Sequence, residues 1–490
     1  METSQLSVKV IWGLCFYFVA YILLTFVNLS YIPVAWIDET YFFDPAIQFL
    51  KTGKLVSNVW HTDGTEKFVF SYLPFMFGVE IINLSVFPWE MFYVRLPFVM
   101  FFFAGMYFLF RLMKDVLKME TVLSLIILFL FINDKGTSEG LRSVRVEVFE
   151  LFFISFLLWR ILTDKNDMLS SFFLSFLFLC HPKSWALVAV LGLFIFFRSS
   201  RLIQKIYIGL AFLLPVILYL AWGNFDFKEL YSQLILHAGE HDVESMNSGI
   251  FYNHFIARFW PFYKLQPYVP VMFYLSLFIS AYTIYKKRNF KNCLIEICFL
   301  ISNIYWFINL GAFTRYNSTI LIFSYLIVGM WVQSYIPYLK KHSKTLIFSC
   351  IFVPAICFPF LSRHAAAIMQ REERDIKPLL SWYETQLKGK ISPALLIGES
   401  SLHYFSLDKK RVEYGTFYSM KKFRFSDYKE VYVCSVVPIL HTGVKVLAIY
   451  KPHQVKLIKE SGSAPVTYYG TTLYKLETEE AFQYIKTLYE

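Results

Sequence analysis

Apolar runs recur along the chain at about 9–29, 95–112, 119–133, 147–162, 168–181, 184–197, 204–222, 268–285, 292–310, 316–336 and 345–361, each bounded by charged or turn-forming residues. Runs of this length and apolarity predict membrane helices, eleven in all. Several are shorter than the ~20 residues that a straight span needs, a shortfall met by local bilayer thinning or by helix ends that open onto a polar cavity. The first run is too long for a signal-peptide core and lacks a small-residue cleavage site, so a retained membrane helix is expected there. A further apolar segment, 68–87, is ambiguous.

Topology follows from the basic residues. Compact clusters occur at Arg111/Lys114/Lys118, Arg160/Lys165, Arg198/Arg201/Lys205, Lys286/Lys287/Arg288/Lys291 and Lys340/Lys341/Lys344. Eleven spans place all five on one side, which the positive-inside rule makes cytoplasmic. This holds only if 68–87 does not cross, so that segment is expected to be interfacial or re-entrant. The N-terminus is then cytoplasmic. The outside receives a loop at 30–94, a loop at 223–267 and everything beyond about 362.

The chain beyond 362 differs in character. Residues 362–490 hold 19 Lys/Arg and 14 Asp/Glu, about a quarter of the segment, against about one residue in seven before it. Short β-like runs ("ALLIGES", "EVYVCSV", "VKVLAIY", "VTYYGTTLYKL") lie between helical stretches near 368–388 and 478–488. The expected fold is a polytopic α-helical membrane domain, 1–361, with a small soluble α/β domain, 362–490, on the extracytoplasmic face.

Composition agrees with a membrane chain. Hydrophobic residues make up 57%, charged residues 17%, and mean hydropathy is +0.48, which excludes disorder and disulfide scaffolds. The net charge of +11 reports cytoplasmic loops and lipid headgroup contacts rather than nucleic-acid binding. Seven cysteines include no CxxC pair, so neither a zinc site nor a disulfide framework is indicated.

Chemistry-bearing residues gather on the outer side. "WIDETYFFDPAIQFLKTGKLV" (36–56) follows the first span; Asp38 and Glu39 are adjacent acids, and Phe43, Ala46, Ile47 and Leu50 recur at helical intervals. A carboxylate at a water–lipid boundary suits general-base work, while the same acids also suit a helix N-terminus. In "GTEKFVFSYLPFMFG", Glu66 and Lys67 precede the ambiguous segment; Lys67 suits either a phosphate at headgroup depth or snorkelling. In "EGLRSVRVEVFELFF", Arg142, Arg145 and Glu147 mark a loop-to-helix junction at the mouth of a span. "CHPKSW" carries His181 and Lys183, an anion site or a polar turn. Arg315 opens a late span, where a guanidinium serves as a forked phosphate ligand or an interfacial anchor. His237 and His241 are spaced i,i+4, but no third ligand is fixed, so a solvated loop is the default over a metal. GxGxxG, Walker A, GxSxG and HExxH patterns are lacking.

Taken in order, these signals resemble the GT-C glycosyltransferases, and within them the bacterial aminoarabinose transferases and the related protein O-mannosyltransferases. Asp38-Glu39 with "DPAIQFLKTGKLV" matches the family's acidic pair and juxtamembrane helix. Glu66-Lys67 with "SYLPF" is similar to its "EKPP" element, "VRLPFVMFFFAG" (94–105) to its "RLPSALFG" span, Arg145-Val146-Glu147 to its "RPD", and Arg315-Tyr316 to its late "RY". Tyr41 stands where the family has a basic residue, and the two prolines after Glu-Lys are absent, which leaves the donor sugar unassigned.

The resemblance implies an inverting transferase in a bacterial inner membrane, with a periplasmic C-terminal domain and 30–94 as its catalytic loop. The donor would be a polyprenyl-phosphate sugar and the acceptor a glycan or glycolipid such as lipopolysaccharide or O-antigen, with no cofactor and no metal. Asp38 would be the base, and Glu39 or Glu147 would orient substrate. Lys67, Arg142, Arg145, Lys183 and Arg315 would bind the donor phosphate. Two rivals remain: a polysaccharide ligase or polymerase, and a lipid or glycan transporter. The acids come early in the chain, there is no internal repeat and the site residues share one face, all of which favour the transferase.

Overall fold

The computed structural model describes residues 2–30, 37–59, 67–70, 74–134, 142–163, 166–242, 266–308, 318–341, 394–398, 412–415, 423–435, 441–450 and 471–488, with isolated positions at 137, 365, 385, 417, 420 and 439. The described part is mostly helical. The helices are α1 Glu2–Phe26, α2 Ile37–Thr52, α3 Pro74–Val86, α4 Met91–Arg111, α5 Thr121–Asn133, α6 Val146–Leu162, α7 Asp167–Phe178, α8 Trp185–Arg198, α9 Leu202–Trp222, α10 Phe227–Asp242, α11 Tyr268–Lys287, α12 Leu294–Ile308, α13 Ser318–Lys341 and α14 Glu479–Leu488.

Among the described residues, five segments are long and apolar enough to cross a membrane: Val8–Phe26, Met91–Val116, Leu202–Trp222, Tyr268–Lys287 and Thr319–Pro337. This corrects the expectation of eleven full spans. The runs at 119–133, 147–162, 168–181, 184–197 and 292–310 fold as helices of 12–17 residues, about 18–26 Å long at 1.5 Å per residue, short of a ~30 Å hydrocarbon core. The run at 345–361 lies outside the described residues. The ambiguous segment 68–87 yields α3, 13 residues long.

Contacts fix the directions of the helices. Leu14, Tyr17 and Tyr21 of α1 meet Leu125, Phe129 and Ile132 of α5 in ascending order, so these two helices run parallel. α4 and α6 are also parallel: Phe101 packs on Phe149, Phe108 on Phe156, and the Trp159 indole donates to Asp115 at 2.9 Å. Gly105 permits this approach, since a Cβ there would lie 3.0 Å from the Leu151 side chain and 3.1 Å from the Phe152 backbone. The bundle therefore has two distinct ends. At one end, Arg111 binds Asp115, Arg160 reaches Ser170, and Arg198 reaches Asp167 and the Ile161 carbonyl. Three of the basic clusters thus share an end. At the other end α1 and α5 finish while α4 and α6 begin.

Proline and asparagine pin the second end. Pro97 inside α4 has no N–H for the Tyr93 carbonyl, and the Asn83 amide of α3 takes that carbonyl at 2.7 Å. α3 is held against α4 by the gap that the proline opens.

The C-terminal part is a five-stranded sheet, with β1 Ala394–Gly398, β2 Val412–Gly415, β3 Glu430–Ser435, β4 Val444–Tyr450 and β5 Thr471–Leu476, in the order β2-β1-β3-β5-β4. β1 pairs in parallel with both β2 and β3, whereas β5 is antiparallel to β3 and β4. Leu395, Ile397, Val431, Val433 and Leu476 pack with Phe482 and Ile485 of α14, so the sheet has a core of its own. The helical stretch expected near 368–388 falls almost wholly outside the described residues.

Candidate functional site

The second end of the bundle buries charge. α2 follows α1 and lies across the starts of α4 and α6. Its first turn carries Asp38 and Glu39. The Asp38 side chain lies outside the described residues. Glu39 is buried and accepts from Arg95 Nε at 3.1 Å, Arg95 Nη2 at 2.7 Å and the Val144 amide at 2.7 Å. Arg95 also donates from Nη1 to the Leu29 carbonyl at 2.8 Å. A bidentate pair with a further guanidinium N–H bonded to a backbone carbonyl is a geometry in which a buried ion pair is tolerated. Glu39 is thus fully occupied in tying α2 to α4 and to the segment before α6.

Arg142 closes a second gap. Its guanidinium donates to the Leu24 carbonyl at 2.9 Å, which also accepts from the Val27 amide, and to the Val27 carbonyl at 2.5 Å, both at the end of α1. Burial, and then the charge of Arg95, push its pKa down to about 10, so it stays cationic at neutral pH.

Three of the expected residues come together at the start of α6. Arg145 sits just before the helix in extended conformation and folds onto Glu147 at 3.3 Å. Lys183, from the turn between α7 and α8, reaches Glu147 at 3.3 Å and Glu150 at 2.8 Å. The Ser184 hydroxyl donates to Glu150 at 2.6 Å. His181 caps that turn through Nδ1 to the Lys183 amide at 3.0 Å, the polar-turn reading of "CHPKSW". The cluster is charge-balanced, with two cations and two carboxylates, all buried.

This cluster adjoins α2. The Val144 amide donates to Glu39, and the next residue, Arg145, lies with its guanidinium 5.7 Å from the centre of the Phe42 ring. Lys67 is half exposed and paired with Glu229 of α10 at 2.9 Å. Arg315 and Glu66 lie outside the described residues, as do the side chains of His237 and His241. Among the described residues, no three His, Cys, Asp or Glu side chains group as a metal site.

A polar latch joins α2 to the sheet. Asp44, buried, accepts from Gln48 at 3.1 Å, the Ser57 hydroxyl at 2.5 Å, the Asn58 amide at 2.7 Å and the Tyr414 hydroxyl of β2. Gln48 also donates to Tyr414 at 2.9 Å. Burial, then the charge of Asp44 and the bond to it, raise the Tyr414 pKa well above the ordinary phenol value.

Sequence reasoning passed over Arg95, Glu150, Asp44 and Tyr414 as site residues. For Arg95 and Glu150 a signal exists: each is an isolated ionisable residue inside an apolar run, which calls for a partner. No family model, curated protein or solved structure matches this chain.

Proposed function

We propose that the protein is a membrane glycosyltransferase of the GT-C kind, which moves a sugar from a polyprenyl-phosphate donor to a glycan or glycolipid acceptor with inversion. The observation that carries this reading is the seating of α2. Glu39 and Phe42 of that helix meet Val144 and Arg145, which brings the turn bearing Asp38 beside the Arg145–Glu147–Lys183 cluster at one end of an apolar bundle. A helix turn that carries an acid next to a cluster of buried cations, at a helix-bundle end, suits a reaction between a lipid-borne donor and a water-borne acceptor.

In the proposed reaction Asp38 takes the proton of an acceptor hydroxyl as its oxygen attacks the anomeric carbon. The bond from that carbon to the phosphate oxygen breaks, and polyprenyl phosphate leaves with the electron pair. Arg145 and Lys183 stabilise the charge on the leaving phosphate, and Glu147 holds the two cations in place between turnovers. Arg142 and Glu39 position the ends of α1 and α2. Lys67 and Arg315 remain candidate phosphate ligands on this reading. The basic end of the bundle faces the cytoplasm and the sheet faces the periplasm of a bacterial inner membrane.

The test is turnover of a polyprenyl-phosphate sugar by purified protein. Asp38→Asn is expected to lower it by about 10²–10⁴-fold, the usual contribution of a positioned base, with the melting temperature unchanged. Full activity in Asp38→Asn would reject the base assignment.

A further inference from the structure

Between α2 and the sheet lies a groove of about 690 Å³, lined among others by Gln48, Lys51, Asn58, Trp89, Glu413 and Tyr414. Its size is that of a small-molecule site. Two aromatic residues line it from different parts of the chain, Trp89, part-buried, from the turn before α4 and Tyr414, buried, from β2. Lys51 stands over both, its ammonium 5.9 Å from the centre of the Trp89 ring and 5.5 Å from that of Tyr414. The Trp89 indole is held by the Leu84 carbonyl at 2.8 Å, and the Tyr414 hydroxyl by Asp44 and Gln48. Both rings are therefore fixed before anything binds.

We infer that this groove binds sugar rings of an extended glycan. A pyranose has one apolar C–H face and a rim of hydroxyls. The fixed Trp89 ring suits the first. The Asn58 amide, the Glu413 carboxylate and the Lys51 ammonium supply donors and acceptors for the second. An apolar lipid chain would strip water from those polar groups at a cost, and a purely anionic ligand would meet Glu413.

The position in the fold sets the length of the ligand. Gln48 lies ten residues along α2 from Asp38, about 15 Å at the helical rise. A ring in the groove is therefore several sugar units away from a hydroxyl at Asp38. On the proposed function, on which this step rests, the acceptor is an oligo- or polysaccharide rather than a single sugar or a bare lipid, and the C-terminal sheet forms one wall of its distal subsite.

The experiment titrates full-length protein in detergent with surface polysaccharide of the source organism, released from its lipid and fractionated by length, beside methyl glycosides of its component sugars. Wild type and Asp38→Asn are both used, so that binding is read with and without turnover. Ser85→Trp fills the groove from an exposed position on its rim, and Trp89→Ala removes one ring. Long fragments should bind wild type and Asp38→Asn alike and at least about tenfold more tightly than the glycosides, and both groove variants should lose about that factor. Equal binding of all lengths, no binding, or undiminished binding by Ser85→Trp of wild-type melting temperature would overturn the inference. Length-dependent binding without lipid-linked sugar turnover would instead overturn the proposed function and leave the groove standing.

Discussion

Arg95→Met should strongly destabilise the bundle by breaking the buried pair with Glu39. The substitution keeps much of the side-chain volume but removes the cation that gives two of the hydrogen bonds to Glu39, at 3.1 and 2.7 Å, and the one to the Leu29 carbonyl at 2.8 Å. Breaking one partner out of a buried ion pair costs about 3–5 kcal/mol, because the remaining charge stays desolvated. Glu39→Met should cost a similar amount by stranding the guanidinium. The double variant removes both charges of the pair and strands neither. Its residual penalties are the Val144 amide that has lost the Glu39 acceptor and the Leu29 carbonyl that has lost the Arg95 donor, about 1–3 kcal/mol each, set against relief of a desolvation cost. The double variant should therefore be more stable than either single, with a coupling of at least about 3 kcal/mol. The assay is denaturant unfolding in mixed micelles followed by tryptophan fluorescence, with a constant slope required across the four proteins. Additivity of the two singles within about 0.5 kcal/mol would refute the pairing. Turnover sharpens the result, since the double variant should retain activity that Asp38→Asn loses if Glu39 only seats α2.

Two further outcomes are expected. Tyr414→Phe removes a donor from the Asp44 carboxylate and should cost about 1.5–3 kcal/mol, the range for bonds to charged groups. Because the folded phenol titrates above the unfolded one, its contribution is whole below about pH 10 and is lost as pH rises further, so wild type should lose stability more steeply than Tyr414→Phe in alkali, and equal slopes would count against the latch. For topology, Ser426→Cys in a Cys434→Ser background should react with an impermeant thiol reagent in intact spheroplasts while Asn289→Cys waits for lysis; the reverse order would invert the assigned orientation.

The parts of this architecture that were legible in the sequence are those written in local pattern. "VKVLAIY" is strand β4 residue for residue, and "ALLIGES", "EVYVCSV" and the end of "VTYYGTTLYKL" contain β1, β3 and β5. β2 escaped notice because it has four residues, "VEYG", with no alternation to reveal it. The span count failed for a related reason. Apolar residues in a run report burial, and α5–α8 are buried by protein on much of their surface, so hydropathy read packed short helices as full crossings. The junction residues Arg145 and Glu147 were visible because a charged pair interrupts an apolar pattern. Their partner Lys183 was visible as an anion site or a polar turn, with nothing in the sequence to tie it to Glu147. The Asp44–Tyr414 contact joins residues 370 positions apart, and no single-sequence pattern encodes such a pairing.

The balance of charge at the start of α6 changes how the cations there work. As separate residues in the sequence, Arg145 and Lys183 look like ready phosphate ligands. In the fold each has a carboxylate partner, and Glu147 bridges the two. Buried cations at a membrane boundary without partners would be costly, so the apolar bundle can hold them only in neutralised form. On the proposed function, an arriving lipid phosphate therefore exchanges with a carboxylate instead of filling an empty cation site. Glu147 is the residue placed for that exchange, because it touches both cations while Glu150 keeps its own bonds to Lys183 and Ser184. Donor binding then becomes a competition between two anions for the same two cations. That requirement follows from the burial of the cluster and holds whichever sugar the donor carries.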